Sequence, residues 1–181
     1  GEVRDGSSWR LALQDVQMAI DQLYARNVIG EVWVAGGTYY PTTAFTDETG
    51  TKGNTERHRS FVMRSGISVY GGFRGETGDE GINNSTTRPR DPNQPDAQWA
   101  FVNRTIFSGD VDRNDDAQKG WRWNAGSQRW EPYYGRNSYH VVWFASEGFY
   151  ERTTQYEPVV AKPLVVETVL DGVVITGGCA D

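Results

Sequence analysis

Residues 31–39 read EVWVAGGTY, and this stretch decides the fold prediction. Four residues with strand-type composition run into Gly36 and Gly37, a pattern typical of a short strand that ends in a turn. Similar glycine closures follow at residues 69–73 (VYGGF), 107–110 (FSGD) and 175–178 (ITGG). Further short strand-type runs lie at residues 60–63, 67–70, 104–107, 139–143 and 168–170. Strands that repeatedly end in glycine turns predict a stack of coils.

The length, composition and charge of the chain limit its fold class and its partners. A chain of 181 residues is long enough for one domain with a core, and its 21 glycines and 13% aromatic residues favour a turn-rich β fold. The net charge is −6, so we expect no nucleic-acid partner. No run of eighteen apolar residues occurs, so we expect no transmembrane segment.

Residues 8–26 carry the only sustained helical pattern. Apolar residues recur at helical spacing there, namely Leu13, Val16, Ile20 and Leu23. Ser7 or Ser8 is the predicted N-cap, and Gly30 lies just beyond the end. We expect this amphipathic helix to cover the first coil, whose apolar cross-section and backbone groups would otherwise be exposed.

Three long polar inserts, residues 41–58, 74–100 and 112–137, separate the strand-type runs. A solenoid tolerates such inserts as loops outside its core. The prediction is therefore a single unit over residues 1–181, with coils from about 31 to 178. No helical pattern follows residue 178, so we expect either that the natural chain continues or that a partner covers the open edge, with self-association through this C-terminal edge as one outcome.

The order of these segments and the sequence of each resemble those of bacterial surface β-helix proteins of the pectin-lyase-like group. The segments that carry the resemblance are residues 5–9, 12–20, 31–41, 60–61, 69–73, 90–92, 105–110, 137–142 and 170–178. The resemblance implies a right-handed parallel β-helix with an N-terminal capping helix. It also implies export, because many such proteins are large modular proteins of Bacteroidetes that carry a C-terminal sorting or anchoring domain. It implies little about chemistry, which has to be argued from a site.

The third insert is rich in aromatic residues, which makes it the first candidate site. Those singled out are Trp121, Trp123, Trp130, Tyr133 and Tyr134. Indole faces beside amide and guanidinium donors suit the rings and hydroxyls of a polysaccharide or host glycan. The structural alternative is that these rings clamp a long loop against the rest of the fold. Alternation of Trp121 and Trp123 also fits a β-hairpin with its turn at residues 124–127.

The second candidate is a calcium site in the acidic stretch that follows residue 109. Oxygen ligands at alternating positions would come from Asp110, Asp112, Asn114 and Asp116. The stretch is not an EF-hand, because Asp115 stands where that loop needs glycine and Trp121 where it needs glutamate. The alternative is a solvated turn in which Asp and Asn bond their own backbone.

We assign no catalytic residue. His58 and His140 lie far apart, and His140 falls in a strand-type run, where a core or ladder histidine is expected. The leading hypothesis is a non-catalytic, adhesin-like scaffold of an exported protein, secreted or at the cell surface in association with the outer membrane. The alternative is the N-terminal part of a polysaccharide lyase or glycoside hydrolase with catalytic coils beyond residue 181, and a third reading is a module that only folds and caps.

Overall fold

The structure is a computed structural model that describes residues 3–44, 55–75, 84–93, 100–113, 121–132, 136–144 and 167–179, together with Asp79, Ile82 and Asp115. This part of the chain is mainly β, with one α-helix. The elements in chain order are α1 (Val16–Ala25), β1 (Gly30–Ala35), β2 (Gly37–Tyr39), β3 (Thr43–Ala44), β4 (Arg59–Met63), β5 (Ile67–Phe73), β6 (Thr105–Ser108), β7 (Trp121–Asn124), β8 (Arg129–Pro132), β9 (Val142–Phe144), β10 (Leu170–Asp171) and β11 (Val173–Thr176). Two single turns of 3₁₀-helix lie at Glu56–His58 and Ser85–Thr87.

The strands divide among four small sheets. Two sheets are parallel and have the orders β1-β5-β10 and β2-β6-β11. A third has the order β3-β4-β9, with β3 antiparallel and β9 parallel to β4. Strands β7 and β8 form an antiparallel pair of their own.

The prediction of a right-handed parallel β-helix is therefore wrong. Over the described segments the sheets are separate, with at most three strands each, and no long parallel stack runs through them. The physical reason lies in the pairing. An antiparallel neighbour at β4 and an independent hairpin at β7 and β8 interrupt the regular addition of one strand per coil that a solenoid requires.

Helix α1 begins later than the sequence pattern suggests. Asp15 is the N-cap, and its Oδ1 accepts a hydrogen bond from the backbone N–H of Met18 at 2.8 Å. The predicted caps, Ser7 and Ser8, instead lie in turns, where the N–H of Ser7 donates to Asp5 Oδ1 at 2.9 Å. The helix thus occupies ten residues within the predicted range of 8–26.

The helix covers the exposed edge of β4 next to the end of β3. Strand β3 pairs with Arg59 and Ser60, and on that side the described part of the chain gives the backbone of Val62 no strand neighbour. The side-chain amide of Gln17 replaces the missing strand: its Oε1 accepts from Val62 N at 2.7 Å, and its Nε2 donates to Val62 O at 2.9 Å. Gln17 is only 2% exposed, so the helix supplies hydrogen-bond partners for two buried backbone groups, the N–H and the C=O of Val62.

One contiguous hydrophobic core lies between α1 and the three larger sheets. Phe61 and Phe107 stack at its centre, with ring centroids 4.1 Å apart. The buried residues of this cluster are Val16, Ile20, Val32, Val34, Phe61, Met63, Ile67, Val69, Phe107 and Val141. Each of β1, β4, β5 and β6 contributes to this list, so strands from all three sheets bury their side chains against one another and against α1.

Glycine closures allow neighbouring strands to approach closely. A Cβ on Gly71 would lie 2.4 Å from the carbonyl oxygen of Gly172, and one on Gly109 would lie 2.4 Å from that of Gly177. Both partners are backbone atoms that cannot move aside cheaply. Gly71 and Gly109, two of the glycines that recur in the sequence, are thus positions where only glycine fits.

α1 is ten residues long, and the described segments contain no helix with the length and apolarity needed to cross a membrane.

Candidate functional site

The aromatic insert contains the predicted β-hairpin. Trp123 pairs with Trp130, and Asn124 pairs with Arg129, in the antiparallel register of β7 and β8. Residues 125–128 form the turn. Asn124 holds this turn, because its Oδ1 accepts hydrogen bonds from Gly126 N at 2.9 Å and from the next backbone N–H at 3.2 Å. The hairpin prediction is confirmed.

Two tryptophans form an exposed aromatic surface on this hairpin. Trp123 is 53% exposed and Trp130 is 62% exposed. Their rings meet edge to face, with centroids 5.8 Å apart and an interplanar angle of 66°, an arrangement that aromatic pairs favour. The two side chains therefore support one another while most of their surface faces solvent.

The other aromatic residues of this candidate site are less fully described. Trp121 pairs with Pro132 through the ladder, which places its backbone on β7 two residues before Trp123. Tyr133 and Tyr134 lie outside the described residues. Among the five predicted glycan-binding residues, the structure thus brings together Trp123 and Trp130.

The acidic turn after β6 is organised by residues that the sequence pattern did not single out. Asp110 is buried, and its Oδ2 accepts from the backbone N–H of Asp115 at 3.1 Å. Asp115 Oδ2 in turn accepts from Asn137 Nδ2 at 2.8 Å. Asn137 also pairs with Asp110 through an antiparallel bridge, so two segments separated by 27 positions meet here.

Asp112 is bonded to the same second segment. Its Oδ2 accepts from the backbone N–H of Arg136 at 3.0 Å, and the Nε of that arginine lies 3.8 Å away. Asp112 Oδ1 and Asn137 Oδ1 are buried acceptors without a hydrogen-bond partner within the described part of the chain. Orphaned acceptors of this kind require an explanation, and a bound cation is one of them.

The described residues do not complete a calcium site. Of the four predicted ligands, Asn114 and Asp116 lie outside the described residues. Among the residues that are described, no three histidine, cysteine, aspartate or glutamate side chains converge as a metal site. Calcium binding by Asp110 and Asp112 stays a prediction. Sequence reasoning missed Asn137 and Arg136, because nothing local to them signals that they meet this turn.

Neither histidine belongs to these two sites. His58 Nδ1 lies 2.7 Å from Thr55 Oγ1, and its ring meets Tyr139 edge to face at 5.1 Å. His140 is exposed, precedes β9 and lies 5.1 Å from the ring of Trp143. The expectation of a core or ladder histidine at position 140 is wrong, because the strand begins only at Val142.

Comparisons with protein-family models, with curated proteins and with solved structures find no match to this chain. The resemblance to bacterial surface proteins stays a prediction. Any function therefore has to be argued from the chemistry of the described residues themselves.

Proposed function

We propose that this protein is a non-catalytic, adhesin-like module that recognises a polysaccharide or host glycan through the aromatic hairpin of β7 and β8. The observation that carries the proposal is the exposed pair of Trp123 and Trp130 at directly opposed positions of the ladder. The faces of a pyranose ring carry C–H groups that pack against indole, while its hydroxyls need polar partners at the rim.

The exposure of the two rings supports recognition over a structural role. Full burial of a large apolar side chain stabilises a fold by roughly 1.5–3 kcal/mol, and rings that clamp a loop would gain most of this. Trp123 and Trp130 are more than half exposed, so the fold forgoes much of that stabilisation. Contiguous exposed aromatic surface is typical of a binding site.

Polar residues of the turn lie next to this aromatic surface. Ser127 and Gln128 are exposed in the turn that joins the two strands. The next pair of the ladder, Asn124 and Arg129, extends from the opposite face of the hairpin, because side chains alternate along a strand. The hairpin itself is held by the Asn124 turn and by the left-handed backbone of Gln128, with φ 52°. A rigid aromatic pair costs little conformational entropy on binding, which favours affinity for a weakly interacting ligand such as a sugar.

Glycan recognition fits an exported protein, and secretion or attachment at the cell surface is part of the proposal. The alternative hypothesis, the N-terminal part of a polysaccharide lyase or glycoside hydrolase, gains no specific support from the described residues. The distinction can be made by incubation of the protein with any glycan it binds. An adhesin-like module leaves that glycan intact, whereas a lyase or hydrolase shortens it.

The proposal can be tested with a glycan-array screen of the wild-type protein beside the variants Trp123→Ala and Trp130→Ala. Loss of a central aromatic contact is expected to weaken binding about tenfold or more. The matched control is Phe144→Ala, which removes an aromatic side chain that is 46% exposed on β9 and is not part of the hairpin. Binding that survives both tryptophan variants, or that is lost equally in the control, would contradict the assignment.

A further inference from the structure

A small pocket lies between the start of α1, the segment after β2, strand β4 and the turn after β6. Its volume is about 260 Å³, slightly below the usual range for a ligand site, which limits it to a molecule of about one sugar ring. Charged and aromatic side chains line it, including Asp15, Tyr39, Tyr40, Arg59 and Arg113. Four separate segments of the chain thus build one polar pocket, apart from the aromatic hairpin.

Arg113 is exposed and lines this pocket, and the described residues give it no acidic partner. Its guanidinium lies over the ring of Tyr40, 4.5 Å from the centroid, and within the described part of the chain it forms no ion pair. Stacking uses the face of a guanidinium and leaves its N–H edge to donate to an oxyanion. The backbone of Arg113 is left-handed, with φ 54°, at the turn after β6, where its N–H donates to Asp110 O at 3.2 Å.

Among the described residues, Arg59 has one acidic partner, Glu56. Its Nη2 lies 3.5 Å from Glu56 Oε1, and both side chains are about two-fifths exposed, at 39% and 43%. Glu56 also pairs with Arg136 at 3.6 Å, so one carboxylate serves two arginines. Within the described residues Arg59 thus shares its acidic partner with another arginine, and it contributes a positive charge to the lining of the pocket.

The only carboxylate among the pocket residues named above is already engaged. Asp15 Oδ1 accepts from Met18 N at 2.8 Å as the cap of α1, and its Oδ2 accepts from Thr42 Oγ1 at 2.9 Å. Two arginines thus face one carboxylate whose oxygens are both bonded elsewhere. The phenol of Tyr39 also has a partner, because it donates to Ala35 O at 3.1 Å and is fixed as a wall of the pocket.

We infer that this pocket binds a small organic anion of about one sugar ring, whose carboxylate or phosphate is held by Arg59 and Arg113. The inference does not rest on the glycan proposal, since no residue of the aromatic hairpin lines the pocket. Carboxylate and phosphate share the geometry that a guanidinium recognises, so the probe decides between them. The aromatic ring of Tyr40 stacks on Arg113 and holds its donors in place.

The test is isothermal titration of the wild-type protein with glucuronate, with glucose 6-phosphate and with glucose. At least one of the two charged sugars is expected to bind, and the one that binds more tightly identifies the anionic group that the pocket prefers. Neutral glucose is expected to bind at least about tenfold more weakly than that sugar. The variants Arg59→Gln and Arg113→Gln should each weaken binding of that charged sugar about tenfold or more, since charge-assisted hydrogen bonds are lost. Circular dichroism and the thermal midpoint show whether each variant is folded.

Two matched controls keep the test specific. Arg104→Gln makes the same change at an exposed arginine outside the pocket and should leave binding unchanged. Trp130→Ala should also leave it unchanged, which separates this pocket from the glycan surface. Binding of glucose as tight as that of the charged sugars, no binding of any probe, or equal binding by the folded Arg113→Gln variant would each overturn the inference.

Discussion

Replacement of Gln17 by alanine should destabilise the protein far more than a change at a helix surface normally does. The side chain of Gln17 makes two hydrogen bonds to the backbone of Val62, and the two residues are 2% and 5% exposed. Gln17→Ala would leave the N–H and C=O of Val62 buried without partners. Each such group costs about 1–3 kcal/mol, so the two together cost about 2–6 kcal/mol.

Entry of water beside the truncated side chain lowers that sum, and we expect a loss of about 2–4 kcal/mol in the free energy of unfolding. A typical domain has about 5–15 kcal/mol in total, so the loss is large. Urea unfolding followed by circular dichroism measures it, with an unchanged slope showing that the folded state stays compact.

Gln22→Ala is the matched control, because Gln22 also lies on α1 but is not among its buried residues. It should change the free energy of unfolding by less than about 0.5 kcal/mol. If the two alanine variants unfold at the same urea concentration, the amide of Gln17 does not substitute for a strand at the edge of β4, and the account of how α1 covers this edge is wrong.

Three further predictions concern other parts of the molecule. Gly71→Ala places a Cβ 2.4 Å from the carbonyl oxygen of Gly172 and should cost about 3 kcal/mol or more in urea unfolding, whereas Gly126→Ala in the hairpin turn should cost less than about 1 kcal/mol. Burial raises the pKa of the Tyr39 phenol above its ordinary value of 10.0. The free energy of unfolding should therefore fall as pH rises above that value, because the unfolded chain ionises first, and Tyr39→Phe should show a smaller fall. Calcium should raise the thermal midpoint of the wild-type protein but not that of Asp112→Asn, because a ligand of the folded state stabilises it; equal wild-type midpoints with and without calcium would refute calcium binding at the acidic turn.

Features set by neighbouring residues could be predicted from the sequence. The strand-type run at residues 31–34 lies within β1, and that at residues 67–70 lies within β5, since β-type residues bounded by glycine favour short strands. The hairpin around residues 124–127 is also local, because alternating aromatic residues flank an Asn-led turn. For the same reason the sequence singles out Trp123 and Trp130, which the ladder places opposite one another.

Features set by distant residues could not be predicted. The same strand-type runs are compatible with a solenoid or with several small sheets, because the choice depends on which strands pair. The antiparallel addition of β3 to β4 leaves no signature in either segment. The start of α1 was missed because Ser7 and Asp15 are equally good caps in isolation, and packing of Val16 and Ile20 decides between them.

In the candidate sites, too, the features set by neighbouring residues could be predicted from the sequence and those set by distant residues could not. The acidic turn was recognised from its run of carboxylates, but its partner Asn137 is 27 positions from Asp110 and was not. The arginine pocket was not predicted at all, because Arg59 and Arg113 come from segments that meet only in the folded protein. Charged side chains that lie far apart in the sequence come together only through folding, so their contacts cannot be predicted from neighbouring residues.

The most direct test of glycan recognition is a nuclear magnetic resonance titration that follows the indole N–H signals of the seven tryptophans. Each signal can be assigned by tryptophan-to-phenylalanine substitution, and the ligand is the glycan bound most tightly on the array. The account predicts that the signals of Trp123 and Trp130 shift with a single affinity, while those of Trp9 and Trp33, which pack on Phe73, stay in place. Shifts confined to the latter pair, or no shift at Trp123 and Trp130 under saturating glycan, would contradict recognition by the hairpin.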